Sequence, residues 1–316
     1  MSLLLALLAC TPEADPPPPF TPDATDPGWW SGTELPSPRQ EHGVAAVDGQ
    51  VVVVAGVDDG PITLGWVQAF DPETGVWSDL PELPVAVHHP NVAALDDGTL
   101  VMLGALDAAF RPVAEAWILP LGASAWEPVT PPPSDVGSSA TAVLDGRVHL
   151  VGGLGASGAI PWHQVWDPST DSWEQLPDAP HARDHLAWGV IDGVLVVTAG
   201  RQRSLSAFVA ATDRYDPASG WTSGAPIPTP RGGVAAAVLD GRLHVVGGEG
   251  NPDDADGVFA THEAYDPVSD SWEALPDIPA PRHGMGAAVV DGVLWVPGGA
   301  PVDGFGAYAI NQGYLE

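Results

Sequence analysis

The sequence predicts an all-β fold, a six-bladed β-propeller, on three observations. Tryptophans recur along the whole chain at Trp30, Trp77, Trp126, Trp173, Trp221 and Trp272, spaced by 47 to 51 residues. A glycine closing an apolar run keeps the same period at Gly56, Gly104, Gly153, Gly200, Gly248 and Gly299. Asp-Gly pairs recur in phase with both, at Asp48-Gly49, Asp97-Gly98, Asp145-Gly146, Asp192-Gly193, Asp240-Gly241 and Asp291-Gly292. A period near 48 with no helical pattern inside it marks a unit of four short antiparallel strands, a propeller blade rather than a helical solenoid repeat.

The fifth copy justifies each element in turn. After Arg231, a small apolar run to Leu239 is strand one, and Asp240-Gly241 is a two-residue hairpin turn, because both its positions need positive φ. Leu243 to Val246 is strand two, ended by Gly247-Gly248. A loop of variable length leads to strand three, which ends on an aromatic in five copies (Phe70, Trp117, Trp166, Tyr215, Tyr265). Asp-Pro then turns the chain at Asp71-Pro72, Asp167-Pro168, Asp216-Pro217 and Asp266-Pro267, and the periodic tryptophan opens strand four. Strands alternate in direction. Loops between strands two and three therefore share a face with the links between blades, and the Asp-Gly and Asp-Pro turns occupy the other.

The Gly-Gly ending, the Asp-Pro turn, the tryptophan and a following Leu-Pro (Leu80-Pro81, Leu176-Pro177, Leu275-Pro276) together resemble the kelch repeat over residues 29–316. The second copy is degraded, with Leu119-Pro120 for Asp-Pro and Ala105 after its single glycine. The resemblance implies a kelch-type propeller. From Gly299 the strand-three aromatic is Tyr314, so the sixth copy lacks a fourth strand, while Trp29-Trp30 and Leu35-Pro36 match one. The expectation is an N-terminal strand that completes the last blade and leaves no open sheet edge.

The net charge is −31, and all ten basic residues are arginine. Attraction to nucleic acid or to anionic lipid is excluded on that balance. Residues 1–10 are an apolar run ending in Cys10 that resembles a bacterial lipoprotein signal, with Cys10 carrying the lipid and the anchor as the only membrane contact. Residues 11–28, rich in proline and aspartate, read as a tether, and 29–316 as the propeller. The location expected is the bacterial cell envelope, and the state a monomer. Some kelch-related propellers resemble galactose oxidase, a copper enzyme with a tyrosine cross-linked to a cysteine. Cys10 lies outside the propeller, so that chemistry is excluded, and neither cofactor nor metal is expected.

Features shared by every blade serve the fold, and those confined to one blade are free to serve function. Nine residues before the turn aspartate stand Arg39, His88, Val136, Arg183, Arg231 and Arg282. The repeated arginine reads as scaffold, paired with acids or carbonyls, with ligand contact as the other reading. Blade-specific residues on the same face are His88-His89, Trp162-His163, Asp184-His185, Arg201 and Arg203, suited to an acidic sugar or a peptide carboxylate. His181 and His185 are four apart, a helical ligand spacing in a segment that enters a strand. Asp253, Asp254 and Asp256 read as solvated loop acids, and Trp188 and Trp295 as packing.

Two function classes follow. One is a non-enzymatic binding module of the envelope that presents this loop face to a protein or a glycan. The other is a carbohydrate-active enzyme resembling the six-bladed kelch N-acetylneuraminate epimerases, with no catalytic motif to transfer and Glu41 or Asp184 as candidate bases.

Overall fold

A computed structural model describes residues 27–202 and 207–316. Six four-stranded antiparallel sheets are arranged around one axis. In blade one the strands are Gly43–Val47, Gln50–Val57, Thr63–Asp71 and Val76–Leu80, paired in that order. The innermost strands of blades two to six are Val92–Ala94, Ala140–Leu144, Ala187–Ile191, Ala235–Leu239 and Ala288–Val290. Small side chains dominate them because six strands must converge there.

The turns form for the reasons their residues supply. Asp145 and Gly146 take φ of 52° and 72°, and the hairpin pairs Leu144 with Arg147. At the Asp-Pro corners the aspartate side chain caps its own turn, Asp71 Oδ1 accepting from the amides of Glu73 (2.9 Å) and Thr74 (3.2 Å). Blade two departs from this pattern. Its loop closes from the Leu95 amide to the Thr99 carbonyl and holds one residue more, which shifts everything before it by one position.

The periodic tryptophan proves to be an inter-blade staple. Its indole N–H donates to a carbonyl of the preceding blade: Trp77 to Thr33, Trp126 to Pro81, Trp173 to Thr130, Trp221 to Pro177 and Trp272 to Ala225, at 2.7 to 3.1 Å. Trp29 makes the sixth, donating to Pro276 at 2.8 Å, so Trp29 rather than Trp30 holds the repeat position. Hydrophobic clusters fill the spaces between neighbouring blades. One joins Val52 and Val54 of blade one to Leu100 and Met102 of blade two, and another joins Trp295 of blade six to Val51 and Phe70 of blade one.

Closure follows the expected plan. Gly28–Ser31 pairs antiparallel with Asn311–Leu315, Trp29 opposite Tyr314, and completes blade six.

Candidate functional site

At the axis each blade contributes one residue in the left-handed region immediately before its first strand: Glu41, His89, Ser138, His185, Gly233 and Gly284, with φ from 50° to 65°. Their backbones form a closed ring. The amide of Glu41 donates to Gly284, Gly284 to Gly233, Gly233 to His185, Ser138 to His89 and His89 to Glu41. The sixth link runs from the His185 amide to the Ser138 hydroxyl at 3.1 Å. Left-handed φ is costly for residues other than glycine, so four such residues at one point mark a position fixed by its surroundings.

The side chains of this ring meet residues from the loops between strands two and three. Glu41, His89, His185, Arg201, Glu249 and His283 surround a cavity of about 220 Å³ capped by Phe110 and Phe305. His89 Nε2 lies 2.9 Å from Glu41 Oε2 and 2.8 Å from His185 Nε2. His185 Nδ1 contacts Asp184 at 2.5 Å, and the Arg201 guanidinium reaches His185 Nε2 (2.9 Å), Asp184 (3.3 Å) and Glu249. His283 Nδ1 stands 3.6 Å from Glu41 and 3.5 Å from Glu249. Burial opposes ionisation of Glu41, but His89, His185 and His283 outweigh it and hold its carboxyl well below the usual range. Asp184 is likewise lowered against its burial by His185 and Arg201. Burial, reinforced by the Arg201 charge, lowers His185.

Kelch motif models match residues 38–84 and 230–279. The chain is 33% identical over 309 residues to Kelch-like protein terF of Aspergillus terreus, covering 88% of this chain and 66% of that protein. It is a kelch-repeat propeller. Kelch-like protein 35 of Mus musculus is 25% identical over 268 residues, and this kelch chain spans only 43% of its length. The solved "Structure of YjhT" superposes with a TM-score of 0.75 at 15% identity, covering 89% of this chain and 95% of that one, a likeness of fold alone.

The kelch arginines lie inside the blades. Arg39, Arg183, Arg231 and Arg282 are buried, and each reaches a polar side chain on the third strand of its own blade, respectively Gln68, Asp213, Glu263 and Gln312. Ligand contact by these four is thereby corrected, since their guanidiniums are spent within the sheet. Burial opposite a neutral amide lowers Arg39 to about 10 and Arg282 to about 9, both still charged at neutral pH. Breaking the Arg231–Glu263 pair from one side would strand a buried charge, a loss of about 3–5 kcal/mol.

His88 is not the blade-two counterpart of these arginines. The extra turn residue puts Val87 there, and His88 instead pairs with Leu106 as Asp184 does with Arg201. His88 Nδ1 contacts His89 Nδ1 at 2.5 Å and its ring lies 4.4 Å from that of Phe110. His163 and Trp162 are also corrected as rim residues. His163 is fully buried in the strand His163–Asp167 against His149 Nδ1 (2.8 Å), and Trp162 packs on the core between blades two and three. His185 and Arg201 do line the pocket and Asp184 stands behind them in contact with both, whereas Arg203 and Cys10 lie outside the described residues.

His181 pairs with Asp213 at 3.0 Å, whereas His185 pairs with Asp184 and Arg201 of its own blade and with His89 of blade two, so the two histidines share no partner. Asp254 accepts from the Asp256 amide at 2.9 Å, a turn contact. Trp295 is fully buried. Glu249, His283, Phe110 and Phe305 escaped the sequence reading. The signal for the ring was available, however: Glu41, His89 and His185 are one and two blade periods apart, with 96 residues between the two histidines.

Proposed function

We propose that this chain is a binding propeller that seats part of a partner over the axial pocket. The kelch propeller suggests an interaction module, and a protein is the partner class it supports. The lip of the pocket carries the reading. Phe110 of blade two and Phe305 of blade six are 48% and 52% exposed and meet edge to face at 5.8 Å, over a floor of buried charge. Paired aromatics left in water above polar groups are placed to stack on a ligand while the floor hydrogen-bonds it.

The floor sets the ligand's chemistry. Two carboxylates of the lining, Glu41 and Glu249, share the floor with one guanidinium, Arg201, which is already engaged by Glu249 and by Asp184 behind it. The pocket complements donors, either an amine or guanidinium of a protein side chain or the hydroxyls of a glycan, in place of the acidic ligand expected from the arginines. Phe110→Ala combined with Phe305→Ala should weaken a ligand identified on peptide and glycan arrays about tenfold or more, roughly 1.4 kcal/mol, with unchanged melting. Equal affinity in titration calorimetry would remove the lip from the site.

One observation favours an enzymatic second reading. His283 stands between Glu41 and Glu249, which gives one cavity an imidazole and two carboxylates, residue types that serve as general acid and base. A mutarotation assay on any glycan that binds separates the two: turnover abolished by Glu249→Gln supports the enzyme, and binding without turnover supports the module. For location we propose a lipid-anchored protein of the bacterial envelope, on the apolar run that ends at Cys10. The mature N-terminus should be an acylated Cys10, and mass spectrometry showing an unmodified chain from Met1 would overturn this.

A further inference from the structure

We propose that Glu41, His89 and His185 bind one divalent first-row transition-metal ion at the floor of the axial pocket. The first observation is convergence. One donor atom each from Glu41, His89 and His185 lies within 4.8 Å of the other two, and the three residues come from three different blades. His283 stands beside this set, next to Glu41. Its Nδ1 is 3.6 Å from Glu41 Oε1, its side chain is only 2% exposed, and that nitrogen has no hydrogen-bond partner. Bonds of about 2.0–2.1 Å put tetrahedral donors about 3.3 Å apart, within the range these atoms span.

The second observation is orientation. His89 and His185 each have the outer nitrogen engaged and the inner nitrogen turned to the common point, and the adjacent His283 ring is fixed through its Nε2. His185 Nδ1 contacts Asp184 (2.5 Å), His89 Nδ1 contacts His88 (2.5 Å), and His283 Nε2 donates to the Val302 carbonyl (2.9 Å). Such partners fix the tautomer and the ring angle of a metal-ligating histidine, and a carboxylate behind the ring is a common form of them.

The third is charge. With imidazoles neutral, as ligation requires, Glu41 and Glu249 in the pocket and Asp184 behind it, against Arg201, leave two negative charges in this buried region, which a divalent ion offsets. A donor set of two imidazole nitrogens and one carboxylate, with a position open for a further ligand, selects zinc, cobalt, nickel, iron or copper over magnesium and calcium, which prefer oxygen throughout.

Arg201 sharpens the test, because its guanidinium stands 2.9 Å from His185 Nε2, the nitrogen the ion requires. Metal and guanidinium therefore compete at that atom, while Arg201 keeps Asp184 and Glu249 in either state. The inference goes beyond the binding-module reading and does not depend on it, since metal capture can succeed where partner binding fails.

The experiment titrates the full chain, stripped with chelator, with Zn²⁺ alone by calorimetry and with Co²⁺ alone by visible absorption. One equivalent of each should bind, and Co²⁺ should develop the ligand-field bands of nitrogen coordination. His89→Ala and His185→Ala should abolish those bands. Asp184→Asn, which leaves every ligand in place, should weaken Zn²⁺ about 10- to 100-fold. Arg201→Gln should bind Zn²⁺ more tightly than the parent chain. Circular dichroism identifies any variant that fails to fold, and Asp184→Asn and Arg201→Gln then carry the decision. Absence of binding at millimolar Zn²⁺, or Co²⁺ bands unchanged in the folded His89 or His185 variant, would overturn the proposal.

Discussion

Removing residues 1–31 should abolish cooperative folding of the whole ring, whereas removing residues 1–25 should leave the melting temperature unchanged. The longer deletion strips Gly28–Ser31 from Asn311–Leu315 and leaves an unpaired edge on blade six. It also takes away the Trp29 staple to Pro276, and Trp30, whose ring sits edge to face on Trp295 at 6.0 Å. Loss of a tryptophan costs about 3–5 kcal/mol where it is core and less for Trp29 and Trp30, which are partly buried, but the two together with the lost strand pairing draw on a total of only about 5–15 kcal/mol that holds a typical domain together. The effect should not stay local, because blade six packs on blade one through Trp295 and Phe70, 5.0 Å apart, and an open ring loses that contact as well. Thermal unfolding followed by tryptophan fluorescence reads this directly, and equal transitions for both deletions would refute the closure.

Acid should unfold the protein between about pH 6.5 and pH 4, ahead of the protonation of most carboxylates. Two pairs of buried histidines, His149 with His163 and His244 with His262, bridge strands two and three of blades three and five, with ring nitrogens 2.8 and 2.9 Å apart. Burial lowers His149 and His244 to about 4, and His163 and His262 to about 3. These bases are depressed in the folded state, so the unfolded chain binds more protons at any pH between those values and about 6.5. Stability is therefore full above pH 6.5 and falls as pH drops through that window. At about 1.4 kcal/mol per pH unit and group, four groups remove on the order of 10 kcal/mol, comparable with the entire folding free energy. A His163→Gln, His262→Gln variant should shift the acid midpoint to lower pH by about half a unit or more. An unchanged midpoint would assign acid sensitivity to other groups.

The elements of the fold were legible because each rests on local chemistry: Asp-Gly needs positive φ, Asp71 caps its own turn, and the tryptophan repeats because each blade must be stapled to its neighbour. The closing strand was legible by subtraction, from Tyr314 without a following strand and Trp29 without a preceding one. The site was less so. Spacing aligned His88 with the arginines because one extra residue in the Leu95–Thr99 loop is invisible when blades are counted from the turn aspartate. Arg39 and Arg282 were plausible ligand contacts until the third strand supplied Gln68 and Gln312 as their partners. Glu249 and His283 belong to copies whose neighbouring residues are unremarkable, and only the axis brings them beside Glu41.

The ring of backbone hydrogen bonds at the axis separates architecture from chemistry. Closure there draws on main-chain groups at five of its six links, so what each blade projects inward is nearly free of the duty of holding the blades together. A sixfold frame can thus host an asymmetric set of functional groups, with an acid, two imidazoles and a hydroxyl in four seats and nothing in the other two. The empty seats matter as much as the filled ones. A methyl group on Gly284 would stand 2.7 Å from Glu41 Oε1, and one on Gly233 would stand 3.3 Å from Glu249 Oε1. Two glycines in blades five and six are the clearance that lets the carboxylates of blades one and five lean over the axis, which makes vacancy at those positions part of the site's specification.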